Sequence, residues 1–543
     1  MCNGYTFAQQ ESNTARLLRT RAYGSLVYPS YARSIEWMPD GEHYIQVEQN
    51  ENAKMEIVTY TAKGDNRTVL IPAEQLMTDK ASGKQLAVGD FSFSEGLDKM
   101  LIFTNTRKVW RYHTRGDYWV LDLTNGNLRQ IGKDKPESTL MFAKFSPDGK
   151  KIAFRSQRRP GNEADQQRLW VYDLKTDECT YITRGQDYCV TEVVWDGNDA
   201  IYFVLPWRGT HQVAHIDLKG NIKHITKGNH DINAFTFAGG KMVANMNTIS
   251  KAVELYDVNL DSGELAQLTD VNREIYDNID FGKVEERWIT TTDGKKMLTW
   301  VIYPPHFDPA KKYPTLLYCQ GGPQSTVSQF WSYRWNFQLM AAEGYIIVAP
   351  NRRGCPSFGQ EWTDQISGDY SGQNIRDYLA AIDEVSKEPF VDKDHRGCVG
   401  ASYGGYSTYY LAGVHEGRFK AFIAHCGIFN FESMYGHTEE LFFVTNDYGG
   451  AYWEMDNAVA QRSYANSPHK KVGNWDTPIL IITGEKDYRI PYSQSLEAFT
   501  AARVQGIDAR LVSFENEAHQ VFQPQNSVVW NREFFGWLNK YLK

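Results

Sequence analysis

Basic charge, long apolar runs and paired cysteines are all scarce in this chain of 543 residues. The net charge is -8 and the pI is near 6.0. A nucleic-acid binder would concentrate Lys and Arg, so that class has no electrostatic support. No apolar stretch approaches the about 20 residues that a membrane-spanning helix needs, and no span is expected. The 7 cysteines include no Cys-x-x-Cys pair, which argues against a disulfide framework or a zinc site. Cys319, Cys398 and Cys426 lie in apolar stretches and read as small core residues. No metal and no cofactor is expected. The opening MCNGYTFAQQ lacks the charged region and apolar core of a complete signal peptide, although Thr6 and Ala8 occupy the small positions of a cleavage site. The expected location is periplasmic or secreted if a signal sequence precedes or overlaps the start, and cytoplasmic otherwise.

What is present is a soluble composition, 42% hydrophobic and 23% charged, with aromatics at 14%. The length calls for two or more domains. Between about residues 30 and 270 a pattern recurs: a Pro-Asp-Gly turn or its equivalent, a β-rich run, then an apolar-Asp-Leu strand and a polar hairpin. FSPDGKKIAF (145–154) and VWDGNDAIYFV (194–204) show its first half; WVLDLTNGNLRQI (119–131) and WVYDLKTDECTYIT (170–183) show its second. Asp122, Asp173, Asp217 and Asp257 fall 51, 44 and 40 residues apart, a spacing that suits one four-stranded blade per repeat. The expectation is a β-propeller over residues 1–275, with a β-sandwich as the competing reading. About five repeats are visible, so a reduced blade number is open.

Past residue 275 the grammar changes. YPTLLYCQGGP, GYIIVAPNRRG, RGCVGASYGG and TPILIITGEKD are continuous apolar runs that end in loops, several of them separated by helical stretches. Such runs indicate a mostly parallel sheet covered on both faces, with function gathered at the carboxyl ends of its strands. An α/β-hydrolase domain is expected over 276–543. VGASYGGYS (399–407) supplies the Gly-x-Ser-x-Gly of a nucleophile elbow through Gly400, Ser402 and Gly404; alone, so short a pattern also fits an ordinary glycine-rich turn.

A serine hydroxyl needs a base, and the base needs an orienting acid, in the chain order Ser, Asp or Glu, His for this fold. His519 stands in a polar loop after the apolar run 511–514, where the base belongs. Asp487 follows the strand-like ILIITG, with Glu485 as its competitor. An ordered set at three strand ends makes Ser402, Asp487 and His519 the expected catalytic group. The Tyr403 N–H and the backbone of Gly321 and Gly322 are the expected oxyanion donors, although the two glycines also suit a simple turn before Pro323.

The stretches YCQGGPQS, APNRRG, GASYGGYS, GEKDYRI and NEAHQV resemble the prolyl oligopeptidase family of serine peptidases, and within it the dipeptidyl peptidase V branch. The resemblance implies the same three catalytic residues. FTNTRKVWRYHTRGDYWVLDL (103–123) is similar to dipeptidyl peptidase IV-like propellers, which implies that Arg111 contacts a substrate carbonyl. The double glutamate that holds the substrate amine in that group has no evident counterpart; the Glu-Glu pairs are Glu285–Glu286 and Glu439–Glu440, and Arg489 stands where that group has asparagine. By the same resemblance Ile428, Phe431 and Met434 line the pocket beside the cleaved bond. The function implied is release of N-terminal dipeptides with a small or apolar residue before the bond. Alternatives are an acylaminoacyl peptidase, an endo-oligopeptidase or esterase of the same fold, or a non-catalytic scaffold. Expected partners are small peptides, and a homodimer is left open.

Overall fold

The computed structural model describes residues 36–543 except 39, 65, 80, 110 and 111. The Thr6–Ala8 motif and Arg111 lie outside the described residues. Contacts divide the chain into two compact units. One holds residues up to Ser92 with Asp98–Asn105 and Trp119–Gln130; the other holds Phe93–Leu97, Thr106–Tyr118 and Ile131–Lys543.

The first unit carries an antiparallel run of four strands, Glu36–Trp37, His43–Gln49, Met55–Thr61 and Thr68–Ile71. Ile45, Ile57, Val58 and Ile71 are buried there. Strands Asp90–Phe93, Lys99–Val109 and Tyr112–Asp122 supply residues to both units, and Leu128–Gln130 belongs to the first.

Three further runs lie before the large sheet in the second unit. Leu140–Phe145, Lys151–Ser156, Arg168–Asp173 and Cys179–Tyr181 form a four-stranded antiparallel run. Thr191–Asp196, Ala200–Trp207, Thr210–Asp217 and Ile222–His224 form the next. A last run, Asp231–Ala238, Lys241–Asn247, Glu254–Val258 and Leu265–Gln267, joins it through one parallel step, His211 opposite Asp231.

The recurring aspartate has a local reason. Asp173 and Asp217 end their strands and accept the backbone N–H groups of Lys175 and Lys219, at 2.8 and 2.9 Å, to close the hairpin. In the last run that role passes from Asp257 to Asn259, which accepts from Asp261 and Ser262. The side chain that caps a hairpin must stand where the strand ends, and this strand ends at Val258.

The second half is one eight-stranded sheet. Its strands are β1 (Val284–Thr290), β2 (Lys296–Ile302), β3 (Tyr313–Cys319), β4 (Ile346–Pro350), β5 (Val391–Ala401), β6 (Ala421–His425), β7 (Ile479–Gly484) and β8 (Ala509–Phe514), in spatial order β1-β2-β4-β3-β5-β6-β7-β8. From β4 onward every neighbouring pair in that order is parallel. Helix α1 (Gln373–Val385), α2 (Tyr403–Ala412), α3 (Tyr492–Val504) and α4 (Pro524–Leu542) cover it. Buried clusters on both faces explain why its strands read as unbroken apolar runs.

Candidate active site

Ser402 stands between the last residue of β5 and the first of α2, at φ 60° and ψ -123°. That backbone costs a non-glycine residue about 1–3 kcal/mol, and its surroundings hold it there. The Ser402 N–H donates to the His425 carbonyl at 2.9 Å. The turn is also too tight for neighbouring side chains. A Cβ on Gly400 would lie 2.5 Å from the Gly404 carbonyl oxygen, and one on Gly404 would lie 2.0 Å from that of Cys319. The glycines of the motif are thus demanded by packing of β5 and α2 against β3.

His519 occupies the loop between β8 and α4. Its Nε2 lies 3.0 Å from Ser402 Oγ and its Nδ1 lies 2.7 Å from Asp487 Oδ2. With an Nδ1–H donated to the carboxylate, Nε2 is left to accept from the serine hydroxyl. Asp487 is buried, and its Oδ1 accepts the N–H groups of Arg489 and Ile490 at 3.0 Å each. Glu485 faces solvent and accepts from Ser513 Oγ at 2.7 Å. His415 is elsewhere, buried and paired with Asp476.

The Tyr403 N–H opens α2 directly after the nucleophile. Gly321 lies against it from the β3 side, where a Cβ would sit 3.7 Å from Ser402 Cβ. Gly322 follows at φ +114°, a conformation glycine adopts freely. Two buried groups fix this loop. Arg352 is fully buried; its Nη1 donates to the Pro323 carbonyl at 2.8 Å, its Nη2 to that of Gln320 at 3.4 Å, and its guanidinium lies 4.6 Å from the Tyr403 ring centre. Gln324 Nε2 donates to both oxygens of Asp447 at 3.1 Å. Burial pushes the Asp447 carboxyl up to about 6, against hydrogen bonds from Tyr370, Gln324 and Ser367 that pull it down.

Ser402, His519, Gly321 and Gly322 open on a cavity of about 660 Å³. Ile428 and Met434 line it, as the resemblance implied. Phe431 is not among its lining residues. It begins the helix Phe431–His437 and turns into the aromatic cluster behind the wall, stacked on Tyr448 at 4.3 Å between ring centres. Among the lining residues that sequence reasoning left unassigned are Arg334, Phe443 and Glu440, the carboxylate of this cavity among the described residues. Glu440 Oε1 accepts from Arg489 Nε at 2.8 Å. Only the Glu-Glu spacing and the odd arginine in GEKDYRI signalled that pair. Pro206 and His211, from blade strands of the same unit, also line the cavity.

His425, at the end of β6, accepts from Trp530 Nε1 at 3.0 Å, and burial pulls its pKa down to about 3, so it stays neutral. Cys426, Asp487 and His519 form the one cluster of metal-type ligands among the described residues, their ligand atoms within 4.8 Å of one another. Asp487 and His519 are already bonded to each other, and burial pushes the Cys426 thiol well up. That donor set favours the proton relay over a metal ion. Cys319 and Cys398 are free thiols, their sulfurs 3.7 Å apart.

Compared with known proteins, residues 331–543 match the prolyl oligopeptidase family and residues 94–159 match the dipeptidyl peptidase IV N-terminal region. The chain is 48% identical over 460 residues to Dipeptidyl-peptidase 5 of Porphyromonas gingivalis, covering 84% of this chain and 67% of that protein. It is 48% identical over 437 residues to Dipeptidyl-peptidase 5 of Porphyromonas endodontalis, covering 79% of this chain and 62% of that one. The chain thus spans roughly two thirds of the length of these two relatives. Among solved structures, an acylaminoacyl peptidase in complex with Z-Gly-Gly-Phe-chloromethyl ketone shares the fold with a TM-score of 0.74 at 22% identity, covering 94% of this chain and 81% of that one. An acylaminoacyl peptidase of Pyrococcus horikoshii gives 0.72 at 21%, covering 94% and 88%. No described helix is long and apolar enough to cross a membrane.

Proposed function

Because this chain belongs to the prolyl oligopeptidase family of serine peptidases, we propose that it releases dipeptides from the free N-termini of short peptides. The observation that carries this reading is the continuous relay from Ser402 through His519 to Asp487. Ser402 Oγ attacks the scissile carbonyl carbon while His519 Nε2 takes the hydroxyl proton. The charge that develops on the carbonyl oxygen is met by the Tyr403 N–H and by N–H groups of the Gly321–Gly322 turn. Collapse breaks the C–N bond, and His519 returns the proton to the departing amine. Water then enters by the same route and frees the dipeptide from Ser402.

Dipeptide release also requires an acceptor for the substrate's ammonium within about one dipeptide, ~7 Å, of the cleaved bond. Glu440 lines the same cavity as Ser402 and supports that role, with Arg489 orienting its carboxylate. Ile428 and Met434 suit a small or apolar side chain before the bond, and Arg111 is proposed, by resemblance, for the preceding carbonyl. The four-strand runs are read as blades of a propeller over 1–275, with the hydrolase over 276–543.

The test compares a dipeptidyl arylamide bearing a free amine with its N-acetylated form, alongside fluorophosphonate capture of Ser402. Loss of a buried charge pair predicts about 100-fold lower kcat/KM for the acetylated substrate. Preference for the acetylated form would assign the site to acylaminoacyl chemistry instead, and no capture of Ser402 would remove the peptidase reading.

A further inference from the structure

The cavity holds two guanidinium groups, and they are spent differently. Arg489 is neutralised by Glu440. Arg334 lines the same cavity, yet its guanidinium makes no hydrogen bond or ion pair with any described residue. Cζ lies 5.4 Å from the ring centre of Phe522, and Tyr318 and Cys426 are near enough to act on its charge. Burial is the leading influence on Arg334 and pulls its pKa down from the ordinary guanidinium value, and no carboxylate stands among the groups that oppose it. Arginine keeps its charge at any pH a protein tolerates, and its five donors form a planar fork suited to a carboxylate. A half-buried cation with every donor unspent, facing a reaction cavity, is a site awaiting an anion.

Its position indicates which part of a peptide it meets. His519 hands its proton to the amine that leaves, so the departing segment starts beside the His519 loop. Along that loop, Gln520 lines the cavity and Phe522 carries Arg334 over its ring. Phe522 and Tyr333 are strongly exposed, and Tyr333 meets Trp331 edge to face at 4.2 Å. Trp331 also lines the cavity. An aromatic rim around one free cation is a surface for a peptide end, with rings for its side chains and a fork for its charge. Glu440 lies by the acid loop instead, through its pair with Arg489.

We infer that Arg334 forms a carboxylate-binding subsite on the leaving-group side of the cleaved bond, so that the protein favours short peptides presenting a carboxylate just beyond it. The carboxylate is either the free C-terminus of a tripeptide or an acidic side chain in the first departing residue. This rests on the peptidase reading above, in which Ser402 and His519 act on a peptide bond.

The experiment measures kcat/KM for two matched pairs. In the first, H-Ala-Ala-Ala-OH is compared with H-Ala-Ala-Ala-NH2. In the second, H-Ala-Ala-Asp-NH2 is compared with H-Ala-Ala-Asn-NH2. The wild-type protein, Arg334→Gln and Arg334→Lys are each assayed. A charged hydrogen bond predicts a preference of about tenfold or more for the carboxylate member of at least one pair. The pair that shows it identifies the carboxylate's source. Arg334→Gln should bring that ratio close to one, and Arg334→Lys, which keeps the charge but not the fork, should leave an intermediate ratio. The ratio is the readout because damage to the fold or the relay lowers both members together. Wild-type ratios near one in both pairs overturn the inference, as does a ratio that survives Arg334→Gln. If the wild type hydrolyses the free-amine dipeptidyl arylamide but shows no carboxylate preference, only the Arg334 subsite fails. If it hydrolyses neither arylamide nor peptides, the peptidase reading fails and the subsite falls with it.

Discussion

Two acids stand two residues apart in GEKDYRI, and their surroundings separate them. Asp487 is buried with His519 and two backbone N–H groups on its oxygens, whereas Glu485 bonds a serine at the surface. Asp487→Asn keeps the shape, but with its oxygen held by the Arg489 and Ile490 N–H groups it turns an NH2 donor toward His519 Nδ1 and selects the wrong tautomer. A fall in kcat of about 10⁴-fold is expected. Glu485→Gln keeps an oxygen that can accept from Ser513 and removes only a solvent-exposed charge, so it should stay within about twofold of wild type. Steady-state kinetics on a dipeptidyl arylamide compares the two. An equal loss in both would reassign the acid.

At the scale of elements, the site depends on two joints, the elbow and the oxyanion loop. The elbow packs α2 so closely on β3 that Gly404→Ala drives a methyl into the Cys319 carbonyl. Overpacking of this kind costs about 1–3 kcal/mol or more. A lower Tm together with loss of fluorophosphonate capture is expected, since the same shift displaces Ser402. The Gly321–Gly322 loop is clamped through Gln324 by Asp447, whose carboxyl burial pushes up to about 6 from 3.8 as a free group. Between those values the folded protein holds a proton that the unfolded chain has released. Stability from this group is therefore full below about pH 4 and is lost as pH rises through 6, by about 3 kcal/mol. Buried His425 works oppositely: held near 3 when folded, it lets the unfolded chain take up a proton first, so its contribution is lost as pH falls from about 6.5. Asp447→Asn should remove the first slope alone. Urea titrations of both proteins from pH 4 to 7 check this; parallel pH profiles would contradict it.

At the scale of the whole molecule, Pro206 and His211, from the antiparallel strands Ala200–Trp207 and Thr210–Asp217, share the cavity with the relay. Access narrowed in this way predicts that peptides of three to five residues are cleaved at least about 100-fold faster, by kcat/KM, than unfolded casein. Comparable rates would mean that the blades do not restrict entry. Much of this organisation was legible in the sequence because the chemistry sits where apolar strands stop: Ser402, Asp487 and His519 each follow such a run, in the order the fold requires. The repeat of antiparallel hairpins was legible through its aspartates, down to Asp257, where the strand runs on to Val258 and Asn259 caps instead. Phe431 was misplaced because a one-dimensional apolar run does not say which side of a short helix faces a cavity. Arg334 and Glu440 lie more than a hundred residues apart, so only the folded sheet shows that one cation is neutralised by its neighbour and the other is not. Arg352 falls in NRRG, just past an apolar run, and only its burial reveals it as the brace behind the Gly321–Gly322 turn.

The central claim, that Ser402 cuts peptides two residues from a free N-terminus, is tested most directly by product mapping. An unmodified pentapeptide is incubated with wild-type protein and with Ser402→Ala, and the first products are read by mass spectrometry. The account predicts that wild type first yields the N-terminal dipeptide and the complementary tripeptide, and that Ser402→Ala yields neither. A first product of one residue, cleavage at scattered internal bonds, or the same dipeptide from Ser402→Ala would contradict it.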